Sequence, residues 1–185
     1  VDQGLWKGAT VKARYFEHYI SDLIYARSVS ATLQDKLNVG KAESKGIELE
    51  AEQRFDKWLR LFANFTYTDA RIKENSAAPA SVGKRVTYVP DILFNIGGDF
   101  ERDPIGISVV GRYVGKRYNS DDNSDVVNNV YGSYDPFFTA DAKIRCKLLS
   151  WATASFSVNN LFDEKYYGYY LSPGRSWFVD LTLKF

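Results

Sequence analysis

Apolar and polar side chains alternate along most of this chain with a period of two. That is the spacing of a strand with one face against an apolar phase and the other against water. The apolar positions are Ala9, Val11, Ala13 and Tyr15; then Ile47, Leu49 and Ala51; then Leu59, Leu61, Ala63, Phe65 and Tyr67. They continue as Ile92, Phe94, Ile96, Gly98 and Phe100; Ile107, Val109, Gly111 and Tyr113; and Phe138, Ala140, Ala142, Ile144 and Cys146. Ala152, Ala154, Phe156 and Val158 follow, and Trp177, Val179, Leu181, Leu183 and Phe185 end the series. Eight strands are predicted.

The connections between these segments alternate in length. Short ones follow Arg54 (Phe55-Asp56-Lys57), Glu101 (Arg102-Asp103-Pro104) and Lys147 (Leu148-Leu149-Ser150). Long ones cover Ala26 to Val39, Ile72 to Val89, Asn119 to Pro136 and Leu161 to Arg175, rich in Ser, Asn, Asp, Gly and Pro, the residues of turns and loops. Short turns on one side and long loops on the other is the asymmetry of outer-membrane barrels. A sandwich of two sheets has no reason to sort its loops this way. The fold class read from the pattern is all-β, an antiparallel transmembrane β-barrel with about eight strands present, short periplasmic turns and long extracellular loops.

Composition sharpens this in one respect. Charged residues make up 25% of the 185 and hydrophobic ones 45%, but the aromatic share is 16%, with 13 Tyr, 12 Phe and 4 Trp and no Met. Trp58 and Trp151 follow short turns, while Tyr19, Tyr25, Tyr118, Tyr166, Tyr167, Tyr169 and Tyr170 lie near long loops. Rings with an apolar body and a polar tip favour the membrane–water interface, so they predict two girdles. No apolar run approaches the roughly 18 to 20 residues of a transmembrane helix. A net charge of +1 points to no nucleic acid or other polyanion partner. Glu48, Glu50 and Glu52 alternate on one strand with Arg60 on the next. A dry core would reject them unpaired. A solvated sheet face would accept them, as would a wet or plugged lumen. The continuous apolar belt opposite selects the lumen.

Candidate chemistry is sparse. His18 is the single His. Near the upper end of the first strand, it is read as an interface or loop-rim residue rather than part of a triad. Cys146, the single Cys, falls on the lipid face as a small apolar residue. Asp121, Asp122 and Asp125 share a loop with Asn119, Asn123, Asn128 and Asn129. They lack the Gly and Glu of a calcium loop and are expected to be solvated and mobile, with weak calcium binding as the lesser alternative. Gly97-Gly98 marks a kink or close packing. No catalytic residue, resident metal or cofactor is expected, and the chain is read as a non-enzyme. An outer-membrane enzyme would have to use His18. Rim candidates for contact with an anionic or aromatic chelate are Arg112, Arg117, Tyr118, Tyr131 and Tyr134, with girdle decoration as the competing reading.

Several motifs, in order, resemble the TonB-dependent outer-membrane receptors. They are Lys45-Gly46-Ile47-Glu48-Leu49-Glu50-Ala51, Ala63-Asn64-Phe65-Thr66-Tyr67-Thr68-Asp69-Ala70, and Gly83-Lys84-Arg85 with Val89-Pro90. Gly111-Arg112-Tyr113-Val114-Gly115 and Tyr134-Asp135 follow. Then come Ser157-Val158-Asn159-Asn160-Leu161-Phe162-Asp163, Tyr166-Tyr167, and Pro173-Gly174-Arg175-Ser176-Trp177-Phe178, with Lys184-Phe185 at the end. The resemblance covers about residues 8 to 185. It implies the last eight strands of a 22-stranded barrel, without its plug domain, and uptake of an iron–siderophore complex or similar scarce nutrient. The chain opens at Val1 on turn-like sequence with no signal peptide, and the motif order reads it as the later part of a longer chain.

The partners implied are outer-membrane lipid, the barrel-assembly machinery, a ferric chelate or other small nutrient, and TonB only through the missing plug. Trp177, Val179, Leu181, Leu183 and Phe185 are the implied barrel-assembly signal. Asp180 stands where such strands commonly carry a small residue. The alternative is a small barrel of eight strands closed on itself, with a structural or adhesive role.

Overall fold

The computed structural model describes residues 2–3, 6–28 and 34–185. The strands are β1 (Asp2–Gln3), β2 (Ala9–Ser28), β3 (Gln34–Phe55), β4 (Leu59–Asn75), β5 (Ile92–Arg102) and β6 (Ile105–Val114). They continue as β7 (Phe137–Leu149), β8 (Ala152–Asn159), β9 (Tyr167–Gly168), β10 (Tyr170–Leu171) and β11 (Ser176–Leu183). The described helical structure is one 3-10 turn, Pro79–Ser81. Nine strands form one antiparallel sheet in the order β1-β2-β3-β4-β5-β6-β7-β8-β11, and β9 and β10 form a separate hairpin.

The eight expected strands are all present, but some boundaries move. Asp2–Gln3, read as turn-like, pairs with Val11 and Lys12 as a ninth strand. The expected loop from Ala26 to Val39 is largely ladder, because β2 runs to Ser28 and β3 resumes at Gln34; residues 29–33 lie outside the described residues. A register shift between Ile20 and Leu23, with Asp22 at φ 57, reverses the apolar phase there. Alternation therefore failed as a guide above it. β4 likewise continues to Asn75.

Among the described residues the sheet stays open. β11 pairs with β8, and β1 with β2, and neither has a second neighbour in the sheet. The closure a self-contained eight-stranded barrel needs, of β11 on β2, is not realised among these residues.

Register aligns like residues across the strands. One row runs Phe55, Leu59, Phe100, Ile107, Ile144, Phe156 and Val179. Another runs Ala13, Leu49, Phe65, Phe94, Tyr113 and Phe138. These large side chains do not form an interior. Among the described residues the buried apolar ones are Ala9, Ala42, Ala70, Ile72, Ala140, Ala152 and Val158, mostly small, whereas Val179 is 81% and Leu181 60% exposed. A sheet that turns whole rows of large apolar residues outward and leaves them exposed has lipid as its apolar phase. On β4 the belt runs from Leu59 to Tyr67, which is roughly 27 Å along a strand. At a tilt of about 40° it spans about 21 Å of membrane, near the height of an outer-membrane belt.

Candidate functional site

The belt ends abruptly toward the long loops. After Tyr15, Ile47 and Tyr67, aligned in one row, the next outward row is Glu17, Lys45 and Asp69, and the one above it Tyr19, Glu43 and Arg71. Tyr19 donates to Glu17 at 2.5 Å. Glu43 pairs with Lys45 at 3.3 Å and Lys73 at 2.6 Å, and Arg71 with Asp69 at 2.9 Å. This is a charged collar edged by tyrosines, as an interface demands. At the turn end, Trp58 meets Phe100 edge-on, with ring centroids 5.9 Å apart. Trp6 donates to Gln53 at 2.7 Å.

The inward face is built from pairs. Arg14 bonds Glu50 at 3.0 Å, and Lys12 stands 3.8 Å from the same carboxylate. Arg60 joins Glu52 at 2.8 Å to Asp99 at 3.0 Å, and Ser108 donates to Asp99 at 2.8 Å. These groups are partly solvated, so each pair contributes little alone and acts as part of a network. Thr10, Lys12, Glu50, Arg60 and Asn64 line a polar cleft of about 280 Å³. Gly97 is required here: a Cβ would meet Phe62 Cζ at 2.5 Å and the Val109 carbonyl at 2.8 Å. The expected close packing is thus the Phe62 ring on bare backbone, with Arg60 4.7 Å above that ring.

Three long loops are tied into one crown. Asn123 accepts from the Arg85 amide at 2.7 Å and donates to the Arg85 carbonyl at 3.1 Å. Asp135, only 2% exposed, accepts from the Asn129 amide (3.0 Å), the Ser133 hydroxyl (2.8 Å) and the Tyr167 amide (2.8 Å). Such a carboxylate compensates its own burial with donors from two loops. Asn160, at φ 53, holds both the amide and the carbonyl of Glu164 through its side chain. That accounts for the Asn-Asn-Leu-Phe-Asp motif: Asn tolerates the left-handed backbone and closes the turn.

The acidic loop is solvent-accessible along its length, as expected, and laced internally by hydrogen bonds. Asp125 accepts from the amides of Asn119 (2.7 Å) and Ser120 (3.3 Å), and Asp122 from Ser120 and Ser124. The Ser120 hydroxyl first, then the Ser124 hydroxyl and amide, pull the Asp122 carboxyl down to about 2. Arg175's backbone amide, then Lys165, hold Asp163 below its ordinary value.

The five rim candidates separate. Arg112 lies on the inward face, in the row of Lys12, Glu50, Asn64, Asn95 and Thr139. Arg117 and Tyr134 form a bridge that continues the β6–β7 register. They are therefore in phase with Tyr113 and Phe138 and share the outward face. Arg117 sits 5.0 Å from the Tyr134 ring. Tyr131 meets Tyr169 and Tyr170 at 5.2 and 5.7 Å, and Tyr134 meets Tyr88 at 5.3 Å. Tyr118 supplies its carbonyl to the Tyr88 amide at 2.8 Å. Sequence reasoning missed Tyr88 as a member of this cluster. Nothing local signals that residue, which reaches Tyr134 through a left-handed backbone (φ 65).

His18 pairs with Ser44 within β2, on the inward face, its ring 5.6 Å from Phe16. It is interior to a longer strand than expected. Cys146 lies between Ile105 and Ala154 in an outward row, partly buried and free.

A family model described as TonB dependent receptor-like, beta-barrel matches residues 2–161. Among curated relatives, a ferrioxamine receptor of Yersinia enterocolitica is 31% identical over 149 residues, covering 76% of this chain and 19% of the relative. A ferrichrome outer membrane transporter/phage receptor of Escherichia coli (strain K12) is 27% identical over 162 residues, covering 79% and 20%. Among solved structures, the ferric yersiniabactin uptake receptor FyuA from Yersinia pestis superposes with a TM-score of 0.77 at 22% identity, over 97% of this chain and 28% of that one. The siderophore receptor PiuA from Acinetobacter baumannii gives 0.75 at 18%, over 96% and 26%. The chain spans about a fifth of the length of these two curated relatives.

Proposed function

The chain belongs to the TonB dependent receptor-like β-barrel family, whose members are outer-membrane proteins, and from that premise we propose that it forms part of the wall of an active-transport receptor. The cargo class we propose is an iron–siderophore complex or a comparable scarce nutrient, after relatives named for ferrioxamine and ferrichrome. The motif order assigns the chain the final strands of the barrel. A plug contributed by the rest of the protein would fill the polar face and couple to TonB.

The observation that carries this reading is the two-faced sheet: an outward belt of large apolar residues, opposite an inward face of paired charges. Arg112 on the inward face and Tyr118 and Tyr131 in the crown are the proposed cargo contacts. Arg binds oxyanions in paired fashion, and Tyr offers an apolar face with one donor. Trp177, Val179, Leu181, Leu183 and Phe185 serve assembly, the first four on β11, whose outer edge is free among the described residues.

The relatives are receptors and a transporter, and the proposed work is transport rather than bond chemistry. The test is uptake by cells carrying the intact receptor, with radioiron-labelled ferric hydroxamates compared against radiocobalt-labelled cobalamin. Energy-dependent uptake of one chelate, lost when TonB is deleted, is expected. Uptake unaffected by that deletion for every chelate would overturn the reading.

A further inference from the structure

Arg117 differs from the paired cations of the collar. Strand by strand, the second outward position above the belt is Tyr19 on β2, Glu43 on β3 and Arg71 on β4. Carried across by register from the Tyr67–Ile92 row, Arg117 on the β6 side and Tyr134 on the β7 side stand in the first outward row above the belt, level with Asp69. The neighbouring collar cations Lys45, Lys73 and Arg71 each have a carboxylate within 4 Å. Arg117 has none among the described residues. Its guanidinium is held instead over the Tyr134 ring, and its Nε is shielded from solvent with no hydrogen-bond partner. A charged donor left in that state carries a desolvation penalty that no bond offsets. A site that holds a cation rigidly, leaves it without a counter-charge and faces it outward just above an apolar belt has the chemistry of a headgroup anchor. The tyrosines beside it, Tyr88, Tyr134 and Tyr169, supply the interfacial wall.

We propose that Arg117, fixed by Tyr134 on the outward collar, binds the phosphate of a membrane-lipid headgroup in the leaflet on the long-loop side. The donors of the planar guanidinium match phosphate oxygens in pairs. The belt below accepts the acyl chains of the same molecule, which free phosphate lacks.

The test uses the intact receptor in nanodiscs of phosphatidylcholine doped with either diphosphorylated lipid A or its dephosphorylated form. Lipid retained after detergent extraction is counted by native mass spectrometry. Heat-modifiable migration first confirms that each variant has formed its barrel. The wild type is expected to retain the phosphorylated lipid about tenfold more than Arg117→Ala, the size of one charge-assisted contact. Arg117→Lys should fall between, and Lys143→Ala, on the inward face, should match wild type. Retention independent of Arg117 or of lipid phosphorylation would overturn the proposal. So would equal competition by inorganic phosphate, or a loss of chelate affinity in Arg117→Ala with lipid retention unchanged. Because lipid retention is read without cargo, the result stands apart from the transport assay.

Discussion

The two faces of this sheet are held by different physics. On the outward face, Leu61, Ile96, Val109 and Val179 meet no interior partner and remain exposed. What matters there is transfer into lipid, so many apolar residues will serve. The inward face depends on named partners: Arg60 between Glu52 and Asp99, and Phe62 lying on Gly97. The first face tolerates exchange of shape and rejects charge. The second tolerates charge and rejects changes of geometry. A protein without a dry core thereby divides between its surfaces what a soluble domain does inside one.

Substitution at neighbouring positions should separate the faces most widely. Ile96→Arg places a cation in the belt, with an expected cost of about 2–4 kcal/mol. Asn95→Arg, one residue away on the inward face, should cost under about 1 kcal/mol. Equilibrium folding into lipid vesicles measures both, and equal costs would break the comparison.

Gly97→Ala tests the inward face's sensitivity to shape. The added methyl meets both the Phe62 ring and a backbone carbonyl, and a loss of about 1–3 kcal/mol is expected. Phe62→Ala in the same chain should recover only the ring's part of that loss.

Asp135→Asn acts on the crown. Whichever oxygen becomes NH2, a donor then faces a donor, the Tyr167 amide at Oδ2 or the Asn129 amide and Ser133 hydroxyl at Oδ1, at about 1–3 kcal/mol. Hydrogen exchange should accelerate at the amides of Asn129 and Tyr167 and leave the β4–β5 ladder unchanged.

The smallest effect is electrostatic. The Asp122 carboxyl is pulled down to about 2 by Ser120 and Ser124. Its contribution to loop order is therefore complete above the ordinary carboxylate range and is lost as pH falls through about 2. An Asp122 carboxyl that titrates in the intact receptor at an ordinary carboxylate value, followed by NMR, would show the loop to be looser than the structure describes.

The strands were legible wherever lipid contact enforced alternation. From Leu59 to Tyr67 and from Ile92 to Phe100, each outward residue is apolar and the register follows. Above the belt that contrast ends. Glu17, Lys45 and Asp69 occupy outward positions, and the shift near Asp22 reverses the phase. The end of β2 from Ala26 and the start of β3 up to Val39 read as loop for that reason. The crown was hidden for a different one: Asn123, Asp135 and Asn160 act through long-range hydrogen bonds to backbone, and their loops read only as polar. The rim candidates were chosen by residue type, which cannot distinguish Arg112 from Arg117. Register places Arg112 on the lumen side and Arg117 on the lipid side.

The claim on which all this depends is that the apolar face meets lipid and the polar face meets the lumen. Spin labels placed singly from Leu59 to Tyr67 of the intact receptor in bilayers test it directly. Accessibility to oxygen should peak at 59, 61, 63, 65 and 67 and fall at 60, 62, 64 and 66. A flat profile, or one of opposite phase, would contradict the account.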